Sequence, residues 1–419
     1  MAKLIFHVDV NSAFLSWEAT RRVRAGEQDL RLIPSAVGGD REKRTGVILA
    51  KSIPAKKYGV RTGEPVAMAL RKCPSLVLVR PDFRLYERSS RAFMDICRAY
   101  APVVEKYSID ECFLDMSDTE RVYPDPVATA YEIKNKIRDE LGFTVNIGVG
   151  PNKLLAKMAG DFEKPDKVHT LFYEEIQSKM WPLPIGELFT VGHATAERLS
   201  KANIKTIGAL ARADIKWVKS YLGDKQGQML HDFANGRDDS AVLAEPEKAK
   251  GYSNSITLEE DVVNDIQAHK ILLALADSVA SRMRSDGARA HCVAVTIRGN
   301  DFRDRSHQRR LETATDITDE VYQVAKRLFA ELWDRRTPLR LMGLALTSIT
   351  FGEEGEQLSL FPDEKKERAR KIDRAVDSIR GKFGPDTIIR GTTVGSDGRI
   401  GRKFKARAEE KKQNGDDRS

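Results

Sequence analysis

The sequence predicts a multidomain α+β protein whose first domain is a ferredoxin-like sheet covered by helices. Up to about residue 165, apolar runs and amphipathic stretches follow one another in the order strand, helix, hairpin, helix, strand. Residues 166–240 then have an all-helical pattern, and residues 251–350 alternate between strands and helices again. A chain of 419 residues is long enough for roughly two to four domains with ample cores.

Two adjacent carboxylates, Asp110 and Glu111, lie in an otherwise apolar hairpin at 107–115. Neighbouring side chains on a strand point to opposite faces, so the two acids meet one ligand only if the backbone bends between them. Burying two carboxylates without a cation is costly, and Mg²⁺ prefers carboxylates together with substrate phosphates. The hairpin is therefore a candidate metal site, and the alternative is a surface Asp-Glu turn between two strands.

A third acid, Asp9, interrupts the apolar strand predicted from Lys3 to Val10. The Asn-Ser pair at 11–12 predicts the start of a helix directly after this strand. Two neighbouring strands of one sheet would bring Asp9 next to the hairpin acids. The three carboxylates therefore predict a metal site assembled from two distant segments.

The segments 7–14 (His-Val-Asp-Val-Asn-Ser-Ala-Phe) and 107–113 (Tyr-Ser-Ile-Asp-Glu-Cys-Phe) resemble the two palm motifs of Y-family (translesion) DNA polymerases. Within this family, the motifs resemble those of the bacterial DNA polymerase IV enzymes. The resemblance covers residues 3–361, with several independent motifs in the same order. It implies the following domains: palm, 1–17 and 75–165; fingers, 18–74; thumb with a helix–hairpin–helix, 166–240; linker, 241–250; little finger, 251–350; clamp-binding peptide, 351–362; basic, partly disordered tail, 363–419.

The resemblance implies an error-prone, template-directed DNA polymerase that adds deoxynucleotides to a primer 3′-hydroxyl by two-metal phosphoryl transfer, without a proofreading exonuclease. Asp9, Asp110 and Glu111 would be catalytic. Together with the Val10 carbonyl they would hold two Mg²⁺ ions, for which Mn²⁺ is an expected substitute. Asn11 stands where relatives often have a second Asp, and we expect activity to survive this difference.

The residues expected to contact the incoming deoxynucleoside triphosphate are also implied by the resemblance. They are Ala13, Phe14, Ser52, Lys56 and Lys164, with Phe14 as the aromatic steric gate against ribonucleotides. Family members usually have Tyr and Arg at the positions of Ile53 and Lys56. Lys56 can still meet a phosphate as a point charge, whereas Ile53 cannot donate a hydrogen bond. The alternatives are a core Phe14 and lysines that merely solvate a helix.

Contacts with primer–template DNA are expected in two places. Gly192, His193 and Ala194 begin a helix in the helix–hairpin–helix pattern, where free backbone N–H groups suit phosphate binding. Residues 298–310 carry five arginines against two aspartates, which predicts one basic face on the little-finger sheet. The arginines expected to contact DNA there are Arg298, Arg303, Arg305 and Arg309. Plain helix packing and an exposed charged strand are the respective alternatives.

Gln357 to Phe361 match the pentapeptide with which bacterial replication proteins bind the replicative sliding clamp (β clamp). Gln357, Leu358, Leu360 and Phe361 are the expected contacts, with the apolar side chains entering a groove. The alternative is a strand or helix end that packs on its own domain. The tail beyond it carries 17 basic and 11 acidic residues, and residues 372–383 are expected to form a short helix.

Composition narrows the functional class and the compartment. A net charge of +8 and a pI near 9.1 favour a polyanionic partner. The four cysteines are scattered without a CxxC pair, which disfavours a zinc site or a disulfide framework. We expect a monomer in the bacterial cytoplasm, associated with the nucleoid and not with a membrane. Two other classes stay open: a catalytically inactive clamp- and DNA-binding accessory paralogue, and a nucleotide cyclase on a related palm.

Overall fold

The computed structural model describes residues 3–39, 46–352, 364–384 and 387–391. The chain divides into two compact units, one formed by Met1–Asp40 with Gly46–Pro246 and one that includes Glu247–Ser419. No helix in the described ranges is long and apolar enough to cross a membrane.

The first unit contains eight of the strands in the described residues and ten of the α-helices. The strands are β1 (Ile5–Val10), β2 (Ser35–Gly38), β3 (Ile48–Lys51), β4 (Val77–Val79), β5 (Val103–Lys106), β6 (Glu111–Asp115), β7 (Val145–Gly150) and β8 (Val168–Thr170). The helices are α1 (Ala13–Arg24), α2 (Ile53–Lys57), α3 (Val66–Lys72), α4 (Phe83–Arg98), α5 (Pro126–Lys136), α6 (Lys153–Gly160), α7 (His193–Lys201), α8 (Ile207–Ala211), α9 (Ile215–Leu222) and α10 (Asp224–Ala234).

A five-stranded sheet in the order β5-β6-β1-β7-β8 carries the predicted palm. Alternate residues of the central strand β1 point to opposite faces. Phe6, Val8 and Val10 enter the large core with α1, α4 and α5. Ile5 lies on the other face, in a small cluster with residues of β6 and α6. The sheet is therefore covered on both faces, by α1, α4 and α5 on one and by α6 on the other.

A second, three-stranded sheet in the order β3-β2-β4 forms the core of the predicted fingers. Two expected domain boundaries need correction. β4 pairs with β2, so the fingers continue past residue 75 to the end of this strand. The boundary at 17/18 also cuts through α1, whose residues from Ala13 to Thr20 are mostly buried in the palm core. The hydrophobic pattern locates strands but does not tell which sheet receives them.

The all-helical pattern predicted for residues 166–240 is confirmed except at β8 (Val168–Thr170), which pairs with β7 at the edge of the palm sheet. Helices α7–α10 pack around a core that includes Leu199, Leu210, Val218 and Leu230 and that also takes in residues of α6. Gly227 lies so close to α9 that a Cβ atom there would approach the Lys219 Cα at 2.8 Å, so α9 and α10 pack with nearly no space between their backbones.

The second unit contains β9 (Gly251–Val262), α11 (Asp265–Ser285), β10 (Ala288–Gly299), β11 (Asp304–Thr315), α12 (Thr318–Leu332), β12 (Leu339–Phe351) and α13 (Glu364–Phe383). Its antiparallel sheet has the order β11-β10-β12-β9. Val293, Val295 and Ile297 of β10 are buried in a core shared with α11 and α12. The other face of the sheet carries no helix of this core.

The expected tail begins with a longer and better-anchored helix than predicted. α13 spans Glu364–Phe383 rather than 372–383. Arg284 of α11, whose side chain is 6% exposed, binds Asp377 at 2.7 Å and Asp373 at 3.3 Å. Arg370 binds Asp316 at 2.9 Å. These charges find partners only once the helix docks on distant parts of the chain. The composition of the segment alone therefore indicated a charged tail and not a docked helix.

Candidate active site

The sheet brings two of the three predicted carboxylates face to face. Asp9 on β1 is the cross-strand partner of Glu111 on β6, so both side chains point to the face that α6 covers. Asp9 is 8% exposed and the Glu111 side chain 21%. Two acids about a hundred residues apart in sequence are thus opposite one another, as expected.

Asp110 lies where the backbone bends before β6. Residues 107–110 belong to no strand, and the Val10 N–H donates to the Asp110 carbonyl at 3.0 Å. The Ser108 hydroxyl donates to the Asp110 carboxylate at 2.6 Å. The bend that two neighbouring acids need in order to serve one ligand is therefore present, and the Val10 backbone lies beside it.

Asp9 is an anion in a poorly solvated place. Burial raises the pKa of Asp9 to about 6, against the charge of Lys164, and the charges of Glu111 and Asp110 raise it further. The Lys164 ammonium contacts the Asp9 carboxylate and also binds Asp161 at 2.8 Å. Burial acts to lower the pKa of Lys164, but the charges and hydrogen bonds of Asp9 and Asp161 together outweigh it and the pKa is raised. The expected triphosphate ligand Lys164 is therefore at the carboxylates themselves.

Glu111 has a cationic partner that the sequence did not single out. Lys157 of α6 binds Glu111 at 2.9 Å and is only 9% exposed. Its ammonium lies 3.5 Å from Nε2 of the fully buried His7. Burial and the charge of Lys157 lower the pKa of His7. The sequence signal that could have identified Lys157 was its position one helical turn after Lys153, on a helix that follows a buried strand.

The donor set fits a hard divalent cation. Among the described residues, no group of three His, Cys, Asp or Glu side chains is arranged to hold a metal ion, since Asp9 and Glu111 are each turned towards a lysine. Carboxylate oxygens are nevertheless the ligands that Mg²⁺ prefers. Burial disfavours the ionised form of Asp9, and Lys164 offsets this only in part, so a cation would supply further compensating charge. Asp9, Asp110, Glu111 and the Val10 carbonyl are the groups that would hold it.

Asn11 has a structural role at the end of β1. Its side-chain amide donates to Asn146 at 3.0 Å, and its carbonyl oxygen accepts from the Thr144 hydroxyl and the Asp166 N–H. Asn11 is 9% exposed and its hydrogen-bonding groups are engaged. This neutral residue therefore supports the end of the strand through these hydrogen bonds.

Phe14 lines the cleft over the carboxylates and is held from behind by aromatic rings. It stacks on Tyr86 with centroids 4.5 Å apart and meets Phe83 edge-on at 6.0 Å. The Tyr86 hydroxyl donates to buried Glu18 at 3.0 Å. The ring is partly buried and at the same time forms a wall of the cleft.

The cleft includes residues of the fingers that the sequence did not single out. It has a volume of about 270 Å³ and is lined by Asp9, Val10, Ser12, Ala13, Phe14, Leu49, Ala50, Lys51, Thr62 and Asp110. The period-2 alternation of β3 was the signal for Lys51. The expected contact Ser52 has a buried hydroxyl, which donates to the Ile33 carbonyl and caps α2 by accepting from the Ala55 N–H. Lys56 is exposed on α2 and does not line this cleft.

The predicted phosphate-binding turn of the thumb has the expected backbone. Gly192 is the N-cap of α7, and no side chain caps this helix. Gly192, His193 and Ala194 are exposed, and a Cβ atom at Gly192 would meet nothing within 4 Å. The first backbone N–H groups of α7 are therefore accessible to an anion.

The expectation of one basic face on the sheet of the second unit is wrong. Arg305 and Arg309 of β11 pair with buried Ile297 and Val293 of β10, so they lie on the helix-covered face. Arg305 binds Asp334 at 3.2 Å, and Arg309 binds Glu331 of α12 at 2.7 Å. Arg298 points to the opposite, open face, where it binds Asp304 at 2.6 Å. Arg303 lies in the turn before β11.

The open face of that sheet is lined mostly by small side chains. They come from four strands in register: Ser253, Ser255 and Thr257; Gly343 and Ala345; Ala294, Thr296 and Arg298; Ser306, Gln308 and Arg310. Arg310 replaces Arg309 as the arginine of β11 on this face. The clamp peptide contacts Gln357, Leu358, Leu360 and Phe361 lie outside the described residues.

Three segments of the chain match family profiles. Residues 8–161 match the impB/mucB/samB family, and residues 249–360 match the C-terminal domain of that family. Residues 186–238 match the profile described as DNA polymerase-iota, thumb domain. The first segment covers the fingers sheet and most of the palm sheet, the second includes the sheet of the second unit, and the third includes helices α7–α10.

Two bacterial proteins named DNA polymerase IV and DNA polymerase IV 1 are similar to this chain over nearly its full length. The chain is 43% identical to DNA polymerase IV of Clostridium acetobutylicum, over 93% of this chain and 98% of the relative. It is 35% identical to DNA polymerase IV 1 of Bacillus subtilis, over 94% of each. Among solved structures, a Y-family DNA polymerase chimera superposes with a TM-score of 0.71 at 24% identity, over 83% of this chain and 100% of that chain. This last likeness shows the fold.

Proposed function

The chain belongs to the impB/mucB/samB family of Y-family DNA polymerases, and we propose that Asp9, Asp110 and Glu111 hold the metal ions with which it extends a primer. It is a template-directed DNA polymerase of the translesion type. The observation that supports this choice of residues is the pairing of Asp9 with Glu111 across two strands, beside the turn that carries Asp110.

The carboxylates and the Val10 carbonyl would hold two Mg²⁺ ions, with Mn²⁺ as a substitute. When bound, the metals acidify the primer 3′-hydroxyl and neutralise the triphosphate. Phosphoryl transfer needs little covalent help, so the task of the protein is to position charge. Lys157 holds the Glu111 carboxylate, and Lys164, which contacts Asp9, would be the cation that binds a phosphate beside the carboxylates.

The floor of the cleft would select the sugar of the incoming deoxynucleoside triphosphate. Ala13 and Phe14 line it beside the carboxylates, and the Phe14 ring would lie against C2′. Because the ring is stacked on Tyr86, it cannot withdraw easily from a 2′-hydroxyl. Exclusion of ribonucleotides would therefore come from the rigidity of this aromatic cluster.

The partners follow from the exposed elements. Backbone N–H groups at the start of α7 and the open face of the second unit's sheet would bind primer–template DNA through phosphates. We propose a monomer that Gln357–Phe361 recruits to the sliding clamp. No observation favours the inactive paralogue, because all three carboxylates are present. A cyclase would not need the thumb and C-terminal regions that match polymerase profiles.

Primer extension tests this function directly. Each of the four deoxynucleoside triphosphates is offered singly, with Mg²⁺, to primers whose next template base differs. We expect the complementary nucleotide to be added in each case, and no addition to a primer without template. Nucleotide addition that ignores the template base, or no addition at all, would overturn the proposal.

A further inference from the structure

The cleft over the carboxylates is bounded by two surfaces that differ in charge. Its floor, from β1, the start of α1 and the hairpin turn, carries the acids Asp9 and Asp110. Its roof is formed by the end of β3, with Leu49, Ala50 and Lys51, and by Thr62. Lys51 is the one cationic residue among the residues that line this cleft. A ligand between floor and roof thus meets a positive charge from above.

Lys51 is placed there by a strand and not by a flexible loop. Along β3, Ile48 and Ala50 are buried, whereas Leu49 and Lys51 are partly exposed on the cleft side. The Cα of Lys51 pairs with that of Ala36 in β2, so the sheet holds its backbone. The direction of the side chain therefore follows from the pleat.

The ammonium of Lys51 has no carboxylate partner among the described residues. It donates to the Thr62 hydroxyl at 3.2 Å. The nearby acid Glu64 is bound to Lys72 at 2.5 Å instead. Burial, together with the charge of Lys56, lowers the pKa of Lys51. A half-buried cation that faces a cleft with only a neutral partner is unfavourable alone and favours an anionic ligand.

The other candidate cations are engaged elsewhere or lie off the cleft. Lys164 is bound to Asp9 and Asp161. Lys56 is exposed and does not line the cleft. The Ile53 side chain is 57% exposed and has no donor. The polar contact that a tyrosine would make from position 53 is therefore missing, and Lys51 is the cationic fingers residue in the cleft, beside the neutral hydroxyl of Thr62.

We propose that Lys51, positioned by Thr62, binds the triphosphate of the incoming nucleotide from the roof of the cleft. This inference rests on the nucleotide site proposed above and adds to it the residue that contributes phosphate affinity. Because a triphosphate is common to all four nucleotides, the contribution is independent of the base. Pyrophosphate corresponds to the β- and γ-phosphates of the nucleotide, so Lys51 also contributes to the binding of pyrophosphate.

The test is steady-state single-nucleotide addition by Lys51→Gln and Lys51→Arg. We expect Lys51→Gln to raise the KM for each of the four deoxynucleoside triphosphates by roughly tenfold, as for loss of one hydrogen bond to a charged group, with a smaller change in kcat. Inhibition by added pyrophosphate should weaken by a similar factor. Lys51→Arg keeps the charge and should restore most of the affinity.

Lys57→Gln is the matched control, because Lys57 is exposed on α2 and its substitution removes the same charge from the same subdomain. It should leave the KM unchanged, and the affinity of Lys51→Gln for primer–template should equal that of the wild type. An unchanged KM in Lys51→Gln overturns the inference. So does a rise confined to one base, or an equal rise in Lys57→Gln. In each of these cases wild-type extension persists, whereas failure of the wild type to extend would overturn the proposed function instead.

Discussion

The palm sheet and the sheet of the second unit differ in how deeply their charged side chains are buried. In the palm, Asp9 is 8% exposed, and burial moves its pKa to about 6. In the second unit, the side chains of Arg305 and Arg309 are 42% and 41% exposed and end in ion pairs on the surface. Several carboxylates grouped in a poorly solvated place indicate a site that needs a ligand, whereas exposed pairs satisfy one another and contribute little. The number of charges in a segment therefore says less about function than their burial.

The largest expected effect is the loss of a palm carboxylate. Asp110→Asn or Glu111→Gln should lower primer extension by about a thousandfold or more, because each removes a metal ligand. Melting temperature and DNA affinity should stay near those of the wild type. Asp139→Asn is the control, since Asp139 is a palm carboxylate paired on the surface with Arg138. Near wild-type extension by both site variants would contradict the metal assignment.

Sugar discrimination is the next test of the palm. Phe14→Ala should raise incorporation of ribonucleotides relative to deoxynucleotides by at least about tenfold, because the space at C2′ opens. Tyr86→Phe keeps the ring that stacks on Phe14 and removes only the hydroxyl bound to Glu18, so its discrimination should remain. The ratio of kcat/KM values for the two sugars measures the effect. An unchanged ratio in Phe14→Ala would make Phe14 an ordinary core residue.

The same contrast explains what could be predicted from sequence. The carboxylate site was predictable because an acid in an apolar strand is conspicuous, as with Asp9, and because adjacent acids require a bend. The face on which each arginine of β11 lies was not predictable. A shift of one residue exchanges the two faces of a strand, and an exposed strand has no apolar pattern that sets its register. Lys157 and Lys51 were missed for a related reason: a lysine looks solvated until the elements around it are packed. The docking of α13 depends on ion pairs such as Arg284–Asp377, which span distant parts of the chain.

A smaller effect should separate the two faces of β11. Arg309 and Arg310 are neighbours on opposite faces, so they form a matched pair. Arg310→Ala on the open face should weaken DNA binding several-fold and reduce the slope of log affinity against log salt by about 1. Arg309→Ala should change both quantities less, because its charge faces Glu331. Fluorescence anisotropy at several salt concentrations measures both. A larger effect of Arg309→Ala than of Arg310→Ala would indicate that DNA binds to the helix-covered face.

The smallest effect on basal extension is expected at the clamp peptide, which lies outside the described residues. Leu360→Ala with Phe361→Ala, or deletion of Gln357–Phe361, should leave extension of a short primer intact, because no catalytic group is lost. Stimulation by loaded clamp should vanish, and calorimetry should show lost binding as two apolar anchors are removed. Ser359→Ala is the control within the segment. Clamp binding equal to wild type in the double variant would refute recruitment through this peptide, and lost basal extension would assign the segment to the fold.

The most direct measurement of the central claim is the number of Mn²⁺ ions bound at the palm. Electron paramagnetic resonance can count them in a complex of the protein with primer–template and a non-hydrolysable nucleotide, with nucleotide alone as the reference. We predict two ions per wild-type complex and fewer in Glu111→Gln at equal DNA and protein concentrations, because one carboxylate ligand is gone. The same number of ions in Glu111→Gln and in the wild type, with the same affinity, would contradict the assignment of the metal site to Asp9, Asp110 and Glu111.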